Sequence, residues 1–340
     1  IAGDVYDKAI PGEKSVQLLD YFLKRLVTAG IKTYMISGNH DSDERLNFGS
    51  SLFESNHIYI NSKFNGILKK YSLYDEFGEL NIYLLPFVKA SQVQHFFPEE
   101  KIDSYDMAVR TILKHSDFDA CKRNILVAHQ FVAGKDDPEI AGSESLSVHN
   151  VGMVEKIGYG SLAEFDYVAL GHIHSPQSVG LKHIRYSGSP LKYSLSEVNN
   201  NKSVPIITFK DKGEVLVEFA PLLPMRDIRH LRGNIKNLLD KKNISCEKDF
   251  IYATLTNEDI VNDAMGIFRE YYPNTVKIDY DNSHTKEIEN VDITRITQNK
   301  TFDELIRDFY MQMYSCDMDE EELEIVKWAA KEAGVGNEAD

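Results

Sequence analysis

Four short polar clusters carry the residue types that hold metal ions. Asp4 follows Gly3, with Asp7 three residues on; Asn39, His40 and Asp41 follow Gly38; His129 precedes Gln130; His172 and His174 follow Gly171. Each cluster begins where a short apolar run stops. Imidazole, carboxylate and amide oxygen without thiolate suit Mn, Fe or Zn in a reactive site rather than a structural zinc finger. A carboxylate shared by two ions, with histidines completing each, makes a two-metal centre. Ions about 3.5–4 Å apart can clamp the attacking and leaving oxygens of an in-line phosphoryl displacement.

Such clusters need elements that bring them to one rim. Ligands gather beyond the carboxyl ends of strands in open α/β sheets. Ile1–Asp4, Thr33–Ile36, Asn124–Ala128 and Tyr167–Leu170 read as strands whose ends carry the clusters. From Glu13 to Ala29, Val16, Leu19, Phe22, Leu23 and Leu26 recur at helical spacing, and Gly30 closes the helix. Ile82–Leu85, His183–Tyr186 and Val204–Phe209 read as further strands, and Ile102–His115 as a helix. Lys210–Gly213 reads as a hairpin turn. The mixture predicts an α/β (α+β) core. A boundary is expected at Pro221–Pro224. A smaller unit then runs strand, helix, strand, helix, strand to about Ser283, followed by a polar linker and two helices within Thr301–Glu332.

The composition narrows the classes. The 340 residues carry a net charge of −15, so bulk electrostatics would not coat nucleic acid. Phosphate would have to be met by metal ions or a local basic surface. The acidity is uneven: residues 317–340 hold nine acidic residues against Lys327 and Lys331. No run approaches the roughly 18 apolar residues of a membrane span. Three separated cysteines, Cys121, Cys246 and Cys316, point to a reducing cytoplasm and away from a disulfide framework.

In order, Gly3-Asp4-x-x-Asp7, Gly38-Asn39-His40-Asp41, the lone His129 and Gly171-His172-x-His174 resemble the calcineurin-like metallophosphoesterase superfamily. Within it, Ile1–Asp7, Tyr167–Gln177 and Arg185–Ser194 are similar to SbcD-type nuclease subunits, across essentially the whole chain. The resemblance implies a β-sandwich core flanked by helices over residues 1–222, a small α/β cap over 223–285 that contacts DNA, a linker over 286–300, and a C-terminal helical hairpin over 301–340. It implies Asp4 as the bridge between two divalent ions, typically Mn²⁺. Asn39, His129 and His172 would complete one ion and His174 would bind the other. His40 would stand at the scissile phosphate and protonate the leaving oxygen, with Asp41 orienting it or its loop. The family's opening Asp-x-His motif is not found, so the core is expected to be N-terminally truncated.

The same resemblance implies metal-dependent hydrolysis of DNA phosphodiesters: exonuclease action on duplex ends, endonuclease action at hairpins, in repair, recombination and replication. It implies an SbcC-like coiled-coil ATPase docked on 301–332, a homodimer within a heterotetramer, and a cytoplasmic location. Ser187, Ser189 and Lys192 are expected at the DNA. Two other readings stay open: a metallophosphoesterase for small substrates, and a non-catalytic scaffold for DNA ends.

Overall fold

A computed structural model of the chain describes residues 1–134, 136–140, 156–240, 242–283, 302–314 and 317–332. The expected linker 286–300, Thr301 and residues 333–340 lie outside the described residues. The chain divides into two units, Ile1–Ile228 and Arg229–Asp340.

The first unit carries strands β1 (Thr33–Ile36), β2 (Ile58–Asn61), β3 (Lys69–Asp75), β4 (Gly78–Leu85), β5 (Arg123–Ala128), β6 (Val132–Ala133), β7 (Ile157–Gly158), β8 (Tyr167–Leu170), β9 (Gln177–Val179), β10 (Leu181–Tyr186), β11 (Ser203–Phe209) and β12 (Val215–Pro221). Six of them form one mixed sheet in the order β3-β4-β5-β8-β10-β9. The middle pairings β4–β5, β5–β8 and β8–β10 are parallel, and the edges are antiparallel. β1 and β2 make a separate parallel pair, and β11 and β12 an antiparallel hairpin.

The period of two along β4 explains how the sheet is buried on both faces. Tyr83 and Leu85 point to a core shared with Leu126, Ala128, Val168, Leu170 and Ile184, which the helix Tyr105–Lys114 covers with Ala108, Val109 and Ile112. Ile82 and Leu84 point the other way, onto Val127, Ile36 and Ala2. β1 splits likewise. Ile36 joins that second face, while Met35 packs with Leu23 of the helix Glu13–Thr28.

Strands Lys69–Asp75 and Ile58–Asn61 and the short helices Asp43–Asn47, Ser50–Glu54 and Ala90–Phe96 are not read from the sequence alone. β3 is an edge strand with no fully buried position, so it lacks the apolar run that betrays its neighbours. The helix expected from Ile102 starts at Tyr105, because the Ser104 hydroxyl accepts the Met107 amide and ends the preceding loop there.

The second unit holds a three-stranded sheet of Ile228–Gly233, Phe250–Leu255 and Thr275–Tyr280, the last two parallel. Ile251, Ala253, Leu255, Phe268 and Tyr272 form its core. The helix expected from Val261 begins at Ala264, since Asp263 caps it with its side chain on the Gly266 amide. Two helices, Phe302–Tyr314 and Glu320–Glu332, pack against each other. Arg307 reaches the Met318 carbonyl and the Glu320 carboxylate. Among the described residues no helix is long and apolar enough to cross a membrane.

Candidate metal centre

The first four residues run beside β1: Ala2 bridges Ile36 in parallel, and the Ile36 amide donates to the Ile1 carbonyl. β5 and β8 end side by side in the large sheet. The Nδ1 nitrogen of His129, just past β5, lies 2.6 Å from the Ala2 carbonyl oxygen. That contact ties the two sets of strand ends together, so all four polar clusters meet on one rim.

Asp4, His129 and His172 each offer a ligand atom within 4.8 Å of the others. Asn39 lies among them, its Oδ1 3.1 Å from His129 Nε2 and 3.0 Å from His172 Nδ1. Asp4 Oδ2 is 3.1 Å from His129 Nε2. Four of the five expected metal ligands are therefore together. His174, the fifth, stands outside that group, with its Nδ1 3.8 Å from Glu197 Oε1. His129 is fully buried, and its imidazole meets His172 edge-on at 5.3 Å.

The backbone is shaped to make this approach. Asp4 (φ 46°) and His172 (φ 90°) sit at positive φ, a costly conformation for side-chain-bearing residues that is typical of functional sites. A Cβ on Gly38 would collide with Asp4 Oδ1 and the Asp4 backbone nitrogen. One on Gly171 would collide with the Ala2 carbonyl and His129 Nδ1. Only glycine lets the strand ends come this close.

Asp41 binds the two loops into one. Its Oδ2 accepts the amides of Val5 (3.0 Å) and Gly38 (2.9 Å), and its Oδ1 that of Tyr6 (2.9 Å). His40 is exposed, with its amide on Asp4 Oδ1 and its Nδ1 2.9 Å from the Asp7 carbonyl oxygen. Asp7 thus meets His40 through its backbone.

Charge is held as a metal site needs it. Burial acts to raise the Asp4 carboxyl. The His129 hydrogen bond and charge, with the His40 amide, outweigh it and leave Asp4 below its usual value. Burial, reinforced by the neighbouring His129, lowers His172 to about 3 and keeps it neutral. Neutral imidazoles, an amide oxygen and an ionised carboxylate aimed at one point suit a divalent cation.

Behind His174 lies a network that sequence reasoning missed. Glu197 is fully buried. Burial acts to raise it, yet His174, Lys202 and the Tyr193 amide bring it to about 2. Lys202 Nζ donates to Glu197 Oε2 (2.6 Å), to Ser189 Oγ and to the His174 carbonyl (both 2.9 Å). The available signal was the Ser194-x-x-Glu197 spacing, in which the Ser194 hydroxyl reaches Glu197 Oε1. Ser189 is buried inside this network. Lys192 Nζ bonds the Val198 carbonyl (2.8 Å) and pairs with Asp227 (2.9 Å). Ser187 bonds the Gly188 carbonyl and is partly exposed.

Comparison with known proteins gives the family. The calcineurin-like phosphoesterase family model matches residues 1–176, and the model described as the Type 5 capsule protein repressor C-terminal domain matches residues 224–314. The chain is 32% identical over 310 residues to the D-type subunit of nuclease SbcCD from Staphylococcus saprophyticus, spanning 89% of this chain and 80% of that protein. It is also 32% identical over 320 residues to the protein of the same name from Staphylococcus epidermidis, spanning 92% and 82%. With these matches over most of both chains, the chain belongs to the calcineurin-like phosphoesterases and, within them, to the nuclease SbcD family.

Proposed function

We propose that the chain hydrolyses DNA phosphodiesters with two divalent ions, most readily Mn²⁺, at duplex ends and hairpins. The observation that carries this is the convergence of Asp4, Asn39, His129 and His172 on one point. These four would hold one ion. Asp4 and His174 would hold the other. When bound, such ions supply positive charge against phosphate and lower the pKa of water. An acidic chain can meet DNA this way, because charge is neutralised at the site rather than across the surface.

The protein's own groups do the rest. Asp41 holds loops 4–6 and 38–41 together, which places His40 beside Asp4. The Asp7 carbonyl can only accept, so His40 Nδ1 carries a proton, which leaves Nε2 of this exposed side chain for the phosphate. Protonated there, the ring can hand a proton to the leaving oxygen. Ser187, partly exposed in the loop behind His174, is the residue of the expected Ser187, Ser189 and Lys192 set that would meet DNA. The buried Ser189 and paired Lys192 support the loop from within.

The relatives are named as parts of a nuclease SbcCD, which supports a coiled-coil SbcC-type ATPase as partner. The exposed Phe309, Ile325 and Trp328 on the terminal helices supply its docking surface. A homodimer within a heterotetramer, a cytoplasmic location and a role in DNA repair, recombination and replication complete the reading. Its functional parts are a core to residue 222, a DNA-contacting cap over 223–285 and a partner-binding segment over 301–340.

The test is cleavage of end-labelled linear duplex and hairpin DNA with Mn²⁺, beside a chromogenic phosphate monoester. DNA cleavage that is lost in His40→Ala, with DNA affinity retained, is expected. Monoester hydrolysis alone would make it a small-substrate enzyme. DNA binding with no cleavage at any Mn²⁺ concentration would make it a scaffold. Deletion of 301–340 should abolish the SbcC-type complex on size exclusion, and a retained complex would remove the docking assignment.

A further inference from the structure

We propose that Glu197 is the positioning residue of His174, setting which imidazole nitrogen faces the metal site; this rests on reading His174 as a metal ligand. The carboxylate belongs to a buried cluster that grips the His174 segment at two levels. At the ring, Glu197 Oε1 stands 3.8 Å from His174 Nδ1. At the backbone, the His174 carbonyl accepts from Lys202 Nζ (2.9 Å) and from the Ser189 amide (3.0 Å). The same two residues hold Glu197 Oε2, Lys202 through Nζ at 2.6 Å and Ser189 through its hydroxyl at 3.3 Å. The Tyr193 amide and Ser194 hydroxyl hold Oε1, both at 3.2 Å.

A plain structural ion pair between Glu197 and Lys202 would not need an imidazole beside it. Here both carboxylate oxygens are anchored by the 189–202 segment, and the one facing His174 is held still by two further donors. A carboxylate fixed beside Nδ1 favours the tautomer with the proton on Nδ1 and leaves Nε2 for the ion. The 3.8 Å separation is ion-pair reach rather than a finished hydrogen bond, and contacts of this kind shorten when a site is loaded. The Tyr193 ring, 5.6 Å from the imidazole, limits its swing on another side. Metal-ligating histidines held through their second nitrogen typically lose about 10–100-fold in metal affinity when that partner is removed.

The experiment uses the full chain with ¹⁵N-labelled histidine, the His174 signals being assigned by their loss in His174→Asn. Metal-free wild type is expected in the Nδ1-protonated form, and added Mn²⁺ should broaden the His174 signals at low concentration. Glu197→Gln should give a tautomer mixture and need about tenfold more Mn²⁺ for the same broadening. Because that variant leaves Lys202 buried and unpaired, Glu197→Gln with Lys202→Met is measured in parallel, and circular dichroism checks that both are folded. An unchanged tautomer and midpoint in a folded variant would overturn the proposal. Wild-type His174 untouched by Mn²⁺ that broadens His129 and His172 would instead remove His174 as a ligand, and with it the proposal.

Discussion

The ring of His129 and the carbonyl of Ala2 are joined at 2.6 Å, across 127 residues of sequence. A carbonyl oxygen can only accept, so Nδ1 carries the proton and Nε2 is turned to Asp4 and Asn39. His129→Ala should therefore lower Mn²⁺ affinity by at least about 100-fold in a calorimetric titration, beyond the usual loss for a supporting residue. Retained affinity would remove His129 from the ligand set.

The legible part of this molecule is the part written in short apolar runs with polar ends. Thr33–Ile36 and Tyr167–Leu170 are strands at the residues expected, and Asn39, His129 and His172 stand where those runs predict. Local pattern fails where pairing decides. Lys69–Asp75 becomes a strand only because β4 offers it an edge. Glu197 and Lys202 are ordinary charged residues in the sequence. Their burial follows from the return of 187–202 over the His174 loop, which no local spacing encodes.

Gly38 has room for a hydrogen and no more, because Asp4 occupies the place of a Cβ. Gly38→Ala should cost about 1–3 kcal/mol by urea denaturation, as overpacking does, and should weaken Mn²⁺ binding by displacing Asp4. Gly12 precedes a helix with open space around it. Gly12→Ala should change stability by no more than about 1 kcal/mol and leave metal binding alone. Equal effects at both sites would contradict the close approach.

Asp41 accepts three amides with its two oxygens. Asp41→Asn keeps the shape but turns one acceptor into a donor facing an N–H. The loss should be about 1–3 kcal/mol of stability. DNA cleavage should fall more than DNA affinity, since the loop carrying His40 is loosened rather than removed. A variant with wild-type kcat would show that the loop holds its place without this carboxylate.

His172 is partly buried and neutral, with its pKa lowered from 6.5 to about 3. Between those values the unfolded chain binds the proton and the folded chain does not, so stability falls as pH drops below about 6.5. Metal-free protein should lose on the order of 1–2 kcal/mol between pH 7.5 and pH 5 from this residue, the ring being only partly shielded. Urea midpoints at the two pH values measure it, and His172→Asn should flatten the difference. A slope unchanged by His172→Asn would assign the acid sensitivity to other groups.

Trp328 is the only tryptophan and is largely exposed, on a helix whose start is fixed by mutual bonds between Asp319 and Glu322. Phe309 is exposed on the other terminal helix. Large apolar groups at helical spacing on a pre-formed hairpin suit a groove against another helix. Adding the coiled-coil base of an SbcC-type ATPase should shift the tryptophan emission to shorter wavelength as the indole leaves water. Phe309→Asp should weaken that binding at least tenfold without altering the urea midpoint, because an exposed side chain contributes little to the fold. An emission spectrum that does not move while the complex forms would place the partner elsewhere on the chain.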